Sequence, residues 1–231
     1  MTIKSNFIIA LLILLTACSH TNRLGEYELR GKNYAFRNTL SSNAHQMTIN
    51  INTSTKDTTD IAETITSIFT DVVSESKKNE LIDAVDTQNL IDNISYGMYD
   101  ALETYLNANI IQEDEGNVDF LVENTLNACN LNISQSAVNI HVSSFTRIID
   151  LATATVVWDN SESKSVSMSS IISTDKKHFN SQSEEYIFIL QKLFSLSKEE
   201  LNQKIGLAGD YVGRGMGETL RQDIAESNRK E

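Results

Sequence analysis

The stretch VDFLVENTLNACNLNISQSAVNIHVSSFTRIIDLATATVVW, residues 118–158, decides the fold. Apolar and polar residues alternate along most of it, and a period of two is typical of strands with one buried face. Turns are expected at Ser134-Gln-Ser136 and near Ala152, and a further polar-faced strand is expected from Ser163 to Thr174. This part of the chain therefore predicts consecutive strands joined by short turns.

Two strands and two helices are predicted before this stretch. The strands are expected at Glu26 to Arg37 and at 45–53, and the helices at Asp57 to Ser76 and at 79–107, with a break near Asp86-Thr87. The apolar residues that define these four elements are, in order, Tyr27, Leu29, Tyr34 and Phe36; Met47, Ile49 and Ile51; Ile61, Ile65, Ile68, Phe69, Val72 and Val73; and Leu90, Ile94, Met98, Leu102, Tyr105 and Leu106.

The chain becomes helical again after the strands. An apolar run begins after Ser183, and Ser197-Lys-Glu-Glu200 has the pattern of a capping box that opens a last helix. Residues 112–117 read as an acidic loop between the second helix and the strands. Together these elements predict one α+β domain, in which a largely antiparallel, mixed sheet is covered by helices.

The first seventeen residues predict a secretory signal peptide. Lys4 precedes the apolar run Phe7–Leu15, which at nine residues is too short to span a membrane, because a spanning helix needs roughly 20 apolar residues. The run ends in Leu15-Thr16-Ala17-Cys18, which resembles the lipobox of bacterial lipoproteins. The resemblance implies cleavage before Cys18, a diacylglyceryl group on its thiol and an N-acyl chain on its new amino group.

This interpretation divides the chain into a signal peptide at 1–17, a lipidated tether at 18–25 and a single α+β domain at 26–231. An ordinary signal peptide with an incidental cysteine is the alternative. Ser19 follows the cysteine where an Asp would indicate retention in the inner membrane. The same resemblance therefore favours the outer membrane, with the domain facing the periplasm.

Composition narrows the classes of partner. The formal net charge of the chain is -12, and because Lys4 is the only charged residue before Cys18, cleavage would change it to -13. An acidic body disfavours nucleic acid and the anionic face of a membrane. Attachment to a membrane would then depend on the lipid. If Cys18 is acylated, Cys129 is the only remaining thiol, so no disulfide can form within the chain.

Two segments carry a resemblance to a group of envelope proteins. The segments are Asp119-Phe-Leu-Val-Glu123 and Arg147-Ile-Ile-Asp-Leu-Ala-Thr-Ala-Thr-Val-Val-Trp158. They are similar to a strand–turn–strand of small lipoproteins related to the curli-secretion lipoprotein and the auxiliary lipoproteins of ABC-type lipid transporters. Ala154 stands where that group has a glycine. The resemblance implies a mixed α/β fold and a non-catalytic role in envelope assembly or transport.

Cys129 and His141 are the candidate catalytic pair. If residues 118–131 and 138–150 form a hairpin that turns near residue 135, residues whose numbers sum to 270 face each other. Cys129 then lies opposite His141, on the face away from Val122, Ala128 and Val142. A thiol nucleophile is one interpretation, and a half-buried thiol beside a polar-face histidine is the other. We favour the second, and expect no catalytic residues.

Four glycines near the C-terminus share one helical face: Gly206, Gly209, Gly213 and Gly217. Gly213 and Gly215 could begin the G-x-G-x-x-G pattern of a phosphate-binding loop. Glu218 stands where the last glycine of that pattern would be needed, so the segment does not match it. Small residues on one face allow another backbone to approach closely. Packing within the domain is the favoured interpretation, and self-association into a homo-oligomer is the alternative.

No metal site and no cofactor beyond the lipid on Cys18 is expected. His20, His45 and His178 lack partners at metal-ligand spacing, and Glu113, Asp114 and Glu115 lack the spaced ligands of a calcium loop. The leading hypothesis is a non-catalytic lipoprotein that works with other envelope proteins. The alternatives are a module that binds a lipid or other apolar ligand between helices and sheet and, third, a thiol-dependent enzyme that uses Cys129 and His141.

Overall fold

The computed structural model describes residues 20–52, 75–134, 137–172, 179 and 182–229. Within these residues it shows a mixed six-stranded sheet with helices packed on one face, which confirms the predicted single-domain α+β fold. The strands are β1 Asn33–Leu40, β2 Thr48–Asn52, β3 Asn109–Ile110, β4 Phe120–Ser134, β5 Val138–Asp150 and β6 Thr155–Ser167; the helices are α1 Glu75–Ala84, α2 Thr87–Leu106, α3 Met168–Ile171, α4 Gln182–Leu193 and α5 Lys198–Ser227.

Several sequence predictions fall outside the described residues. They are the signal peptide and the lipobox Leu15-Thr16-Ala17-Cys18, residues 57–74 of the first predicted helix, the centre of the turn at 135–136, and His178.

Strand β4 lies at the centre of the sheet. β1 pairs in parallel with its first half, and β2 pairs in parallel with its second half. On the other side β5 pairs antiparallel with β4, and β6 pairs antiparallel with β5. β3 adds a short parallel strand at the outer edge of β1. The consecutive strands predicted from residues 118–158 are thus the antiparallel part of the sheet, and the strands that precede them are its parallel part.

The helix predicted over 79–107 is divided where the sequence predicts a break. Asp86 is the N-cap of α2, and its carboxylate accepts a hydrogen bond from the backbone N–H of Asn89 at 3.0 Å. The predicted capping box at the start of α5 is also confirmed. The backbone N–H of Glu200 donates to Ser197 Oγ at 3.2 Å, and the backbone N–H of Ser197 donates to the Glu200 carboxylate at 2.9 Å. These side chains satisfy N–H groups that the first helical turn leaves free.

Two predicted strands have the wrong bounds. The strand expected at Glu26 to Arg37 begins only at Asn33, because Leu24–Glu26 forms a 3-10 turn and Gly31, with φ +67°, turns the chain just before the strand. The strand expected from Ser163 to Thr174 is not separate. Its first residues continue β6, which finds pairing partners along β5 as far as Asn139 opposite Ser167.

Two residues assigned to buried faces lie at the surface instead. Ile51 is 38% exposed and Tyr105 is 39% exposed. Ile51 is the second-to-last residue of β2 and lies near the end of the sheet. Near the end of α2, Leu102 and Leu106 occupy the buried positions and leave Tyr105 to solvent.

The turn between β5 and β6 contains a left-handed alanine. Ala154 has φ +54°, a conformation that glycine adopts at lower cost, and it stands where the family resemblance expects a glycine. The Asp150 carboxylate holds this turn. It accepts from Thr153 Oγ1 at 2.6 Å and from the backbone N–H of Ala152 at 3.1 Å.

The hydrophobic core between helices and sheet consists of two clusters. The Trp158 cluster lies where β4 begins and α2 and α5 end; its members include Leu24, Tyr34, Met98, Leu102, Phe120, Val122, Ile148, Trp158, Met216 and Leu220. The Cys129 cluster lies at the opposite end of the strands; its members include Leu90, Ile91, Ile94, Leu126, Cys129, Leu131, Ile140, Val142, Leu190, Leu193, Ala208 and Val212.

Candidate functional site

The predicted Cys129–His141 pair does not form. Residues opposite each other sum to 270 from Phe120 and Asp150 as far as Leu126 and Ser144, but the register then shifts by one residue at a bulge. Beyond the bulge Cys129 lies opposite Val142, and His141 lies opposite Asn130. An extra residue in one strand reverses the face of every residue that follows it. The prediction of the pair was therefore wrong.

The bulge places Cys129 in the core. Its side chain is 0% exposed among apolar neighbours, and burial raises the pKa of the thiol to about 12. A nucleophilic cysteine needs the opposite shift, toward a lower pKa. Ala128 was expected beside Val122 on the buried face, and the same bulge moves it to the other face, where it is only partly buried.

Within the described residues no group of three or more His, Cys, Asp and Glu side chains is arranged to hold a metal ion. The acidic residues Glu113, Asp114 and Glu115 form a 3-10 turn. Arg37 forms an ion pair with Glu113, and this hydrogen bond lowers the pKa of the Glu113 carboxyl. This acidic turn is thus paired with an arginine of the same chain.

The four glycines of α5 lie against α2. A Cβ placed on Gly213 would come 2.4 Å from the carbonyl oxygen of Ile94, and one on Gly217 would come 2.6 Å from that of Gly97. A Cβ on Gly209 would come 2.7 Å from Leu90 Cδ1, while one on Gly206 would meet only the Asn93 side-chain amide, at 3.1 Å. The face identified in the sequence is therefore in contact with a second helix of the same chain.

Gly97 is a part of this contact that the sequence analysis missed. A Cβ on Gly97 would lie 2.1 Å from the carbonyl carbon of Gly213, so each helix presents a glycine to the backbone of the other. A single glycine inside an amphipathic helix gives little signal. It costs stability relative to alanine, and only a close backbone approach explains its presence.

The face of the sheet that points away from the described helices is called here the open face. From Glu123 onward on β4, except at the bulge, and along most of β5, its side chains alternate with the buried ones. A charged row crosses it near the end of the sheet where β4 begins, and there Arg37 and Arg147 both bind Glu123, at 2.9 and 2.5 Å. Asp159 lies opposite Arg147 on β6 and continues this row.

Beyond the charged row the described residues of the open face include no Asp, Glu, Lys or Arg. We call this region the uncharged patch, and cross-strand register defines it as Thr39, Thr48, Asn50, Thr125, Asn130, Asn132, Asn139, His141, Ser143, Phe145, Ser161, Ser163, Ser165 and Ser167. None of these residues is Asp, Glu, Lys or Arg, although such residues make up 22% of the chain.

Hydrogen bonds between strands order parts of the uncharged patch. The Asn50 side-chain amide donates to Asn132 Oδ1 at 2.9 Å, and the hydroxyls of Thr39 and Thr125 lie 3.0 Å apart. Phe145 is the one aromatic side chain of the patch and lies in the same row as Thr125 and Ser161. The patch is thus an ordered polar surface with one apolar ring within it.

A second notable feature is the segment that follows the predicted lipidation site. The backbone N–H of Asp159 donates to the carbonyl of Thr21 at 3.0 Å, and the N–H of Arg23 donates to that of Val157 at 2.9 Å. The N–H of Thr21 in turn donates to the Asp159 carboxylate at 2.9 Å. Residues 21–23 therefore form a short pairing along the outer edge of β6.

Asp223 of α5 binds both this segment and the core. Its side chain accepts a hydrogen bond from Trp158 Nε1 at 2.7 Å, and His20 Nε2 lies 2.9 Å from the same oxygen. Asp223 is only 7% exposed and Trp158 is fully buried. A buried carboxylate is costly unless it is paired or hydrogen-bonded, and these two contacts meet that requirement.

No helix among the described residues is long and apolar enough to cross a membrane. No family model and no curated protein matches the sequence. The fold is similar at a low level to several solved structures.

A protein of Xanthomonas campestris from the family DUF330 is 9% identical, with a TM-score of 0.36 over 87% of this chain and 95% of that one. The PelC dodecamer of Paraburkholderia phytofirmans is 11% identical, with a TM-score of 0.31 over 72% and 88%. A proposed lipoprotein of Caulobacter crescentus is 12% identical, with a TM-score of 0.31 over 60% and 83%. Likenesses of this size assign neither a family nor a function to the chain.

Proposed function

We propose that this chain is a lipoprotein of the bacterial envelope that binds another envelope protein through the uncharged patch and has no catalytic activity. The proposal places a diacylglyceryl group and an N-acyl chain on Cys18 after removal of residues 1–17, and the outer membrane as the site of attachment, with the domain in the periplasm. The sequence Leu15-Thr16-Ala17-Cys18 after a short apolar run supports the anchor.

The absence of charge from the uncharged patch is the observation that carries the binding role. Charged residues are depleted at the centres of protein interfaces, because each buried charge must be desolvated. On an acidic chain, an ordered surface of hydroxyls and amides around Phe145 provides hydrogen-bonding groups without long-range repulsion of an acidic partner. The salt-bridged row at Glu123 and Arg147 borders it and corresponds to a polar rim.

The two alternative functions fit the described residues less well. An apolar ligand held between helices and sheet would occupy space that buried side chains of the Cys129 cluster fill, among them Ile94, Leu126 and Val142. A thiol enzyme would need an accessible thiolate, whereas Cys129 is buried with a raised pKa. We expect Cys129 in the folded protein to react with an alkylating reagent at neutral pH much more slowly than a free cysteine, and fast labelling would revive the enzyme hypothesis.

Photo-crosslinking in living cells tests the binding role. A photoreactive amino acid would replace Ser163, an exposed residue of the uncharged patch, and in a matched variant Gln203, an exposed residue on the helical side. We expect a discrete adduct with a different envelope protein from position 163 and none from position 203. Adducts from both positions, or from neither, would contradict the proposal.

Two further readouts separate the parts of the proposal. An adduct of twice the chain's own mass would show that the patch binds a second copy instead of a different protein. Mass spectrometry of the mature N-terminus tests the anchor by itself, with Cys18→Ala as the control that cannot be lipidated. An unmodified Cys18 would refute the lipoprotein assignment whatever the crosslinking shows.

A further inference from the structure

Strand β6 forms one edge of the sheet, and residues 21–23 cover only part of that edge. They pair with residues 157–159, and within the described part of the chain no strand pairs with the later residues of β6 on this side. We call residues 161–167 the free edge; residues 161 and 163–165 are exposed. The backbone groups of an edge strand are available for pairing with another strand.

Alternate residues of the free edge point their backbone groups outward. The N–H of Asp159 donates to the carbonyl of Thr21, so at this residue the backbone of β6 points away from β5. From there to the end of β6 the pairing with β5 continues without a shift of register, and the pairing direction alternates from one residue to the next. The residues whose N–H and C=O groups face the uncovered side are therefore Ser161, Ser163, Ser165 and Ser167.

The side chains of the free edge differ between the two faces of the sheet. On the open face they are the four serine hydroxymethyl groups, which belong to the uncharged patch. On the helix side, Lys164 Nζ lies 2.9 Å from a carboxylate oxygen of Glu162. Glu162 also lies against α5, where a Cβ on Gly215 would come 2.9 Å from its Cδ. The free edge thus has an uncharged border on one face and an ordered pair of opposite charges on the other.

We infer that the free edge binds an extended strand of the envelope partner, antiparallel to β6, so that the partner reaches the uncharged patch by continuing the sheet. The inference rests on the proposed function and deepens it by naming the part of the partner that is bound. Residues 21–23 already pair antiparallel with the same edge. A strand added to a sheet gains affinity from backbone hydrogen bonds and specificity from its alternate side chains.

The charges on the free edge define the partner strand. The serines form the hydrogen-bonded pairs with it, so Glu162 and Lys164 occupy the other positions, where the side chains of antiparallel strands lie closest together. Opposite charges stabilise such pairs and like charges destabilise them. The partner strand therefore carries an acidic residue opposite Lys164, a basic residue opposite Glu162 and uncharged side chains toward the open face.

A second copy of the chain fits the free edge less well than a separate strand. Two β6 strands place Glu162 opposite Lys164 when they pair about a twofold axis at Ser163. The N-terminal segment of each copy pairs antiparallel with β6 and lies beside residue 160 at its first described residue. It would limit pairing between the copies to residues 161–165, whereas a separate strand can use the whole free edge.

Photo-crosslinking of the full chain in cells tests the strand pairing, with the photoreactive amino acid at Ser161. Ser163→Pro removes an N–H that points away from β5, and proline is tolerated at such positions of an edge strand. Ser163→Ala is the matched control, because it also loses the hydroxyl but keeps the N–H. We expect the adduct with a different envelope protein to fall several-fold in Ser163→Pro and to persist in Ser163→Ala.

Exchange of the two charged residues tests the chemistry of the partner strand. Glu162→Lys combined with Lys164→Glu keeps the net charge and the pair within the chain but places like charges opposite the partner strand. We expect the adduct to weaken several-fold, and an unchanged adduct would overturn the charge complementarity. A second copy would carry the same exchange and pair as before. An adduct of twice the chain's mass that withstands the exchange would therefore assign the free edge to a second copy and overturn the inference.

The outcomes separate the strand pairing from the uncharged patch. An adduct that persists in a folded Ser163→Pro protein would overturn the strand pairing and leave binding through the patch intact. No adduct from any version of the chain would refute the proposed function and the inference with it. The fluorescence of Trp158, the only tryptophan in the chain, reports whether each variant is folded. If Ser163→Pro does not fold, the charge exchange decides alone.

Discussion

The Trp158 cluster and the Cys129 cluster share the same strands and helices but differ in composition. The Trp158 cluster contains large aromatic side chains, with Tyr34 stacked on Phe120 at 5.2 Å between ring centroids. Leu24 and Leu29 of the N-terminal segment are also buried in it. The Cys129 cluster is almost entirely aliphatic and receives side chains from α1, α3 and α4 as well. The Trp158 end of the core is thus the one held by ring stacking and by contacts from the N-terminal segment.

A layer of buried polar side chains separates the two clusters. Asn124 is 0% exposed; its amide donates to Ser95 Oγ at 2.9 Å and its carbonyl accepts from Thr146 Oγ1 at 2.7 Å. Asn38 joins the same group, because its Oδ1 accepts from Ser95 Oγ at 2.7 Å. A satisfied polar network in a core permits one arrangement of its elements. This layer fixes the position of α2 along the sheet, and each cluster packs on its own side.

Replacement of Trp158 is expected to show the largest difference between the two clusters. Trp158→Ala removes the largest side chain of its cluster and one partner of Asp223, so we expect the free energy of unfolding to fall by about 3–5 kcal/mol. The pairing of residues 21–23 with β6 should also loosen, which would make trypsin cleave after Arg23 many-fold faster. The control is Leu131→Ala in the Cys129 cluster, which should cost about 2–5 kcal/mol but leave cleavage at Arg23 slow in the folded protein. Equal acceleration in both variants would show that the clusters are not independent.

The polar layer is tested by Asn124→Ala. The Thr146 hydroxyl would lose the acceptor of its hydrogen bond, and a buried group left unsatisfied costs about 1–3 kcal/mol. Urea unfolding should therefore show a clear loss of stability. Adding Thr146→Val to the Asn124→Ala variant should restore part of it, because one orphaned hydroxyl is removed. No restoration would indicate that cavity formation, and not the lost hydrogen bonds, dominates the effect.

The glycine contact offers a matched pair of substitutions. Gly213→Ala would place a methyl group against the backbone of Ile94, and we expect overpacking to cost about 1–3 kcal/mol. Gly206→Ala meets only the movable amide of Asn93, and alanine favours a helix over glycine by about 0.5–1 kcal/mol, so the variant should be neutral or slightly more stable. Thermal unfolding of the two variants gives the comparison. Similar losses would mean that the helices are as tightly packed at Gly206 as at Gly213.

Alkaline pH should weaken the Cys129 cluster through its thiol. The unfolded thiol loses its proton near its ordinary pKa of 9.0, whereas burial raises the folded pKa to about 12. The unfolded state alone is therefore ionised between these values, and stability falls as pH rises, by at most about 1.4 kcal/mol per pH unit. In Cys129→Ala the slope should be smaller. It should not vanish, because burial also raises the pKa of Tyr34 in the Trp158 cluster. An unchanged slope would contradict the burial of the thiol.

The local features of the fold were predictable because short-range chemistry determines them. The helix break at Asp86, the Ser197–Glu200 capping box and the strand pattern of 118–158 all depend on residues within a few positions of each other. The parallel pairing of β1 and β2 with β4 was not predicted. Parallel pairing joins residues about 85 positions apart through intervening helices, and no local pattern specifies it.

The candidate sites show the same limit. The predicted register of the β4–β5 hairpin was right up to Leu126 and wrong beyond it. The bulge lies at Asn127-Ala128, and no glycine or proline there reveals it in the sequence. The uncharged patch depends on that register and on a third strand, so the sequence alone did not reveal it. The docking of His20 on Asp223 joins residues 203 positions apart, which local patterns cannot indicate.

The bulge at Asn127 also bears on the chemical lifetime of the protein. Without the extra residue, strict alternation would carry Cys129 to the open face, where oxidants and other thiols could reach it. The compartment proposed for this protein is oxidising, and an accessible lone thiol there forms disulfides with whatever cysteine it meets. One inserted residue thus protects the molecule from unintended covalent dimers and from irreversible oxidation, and it does so without any change to the cysteine itself.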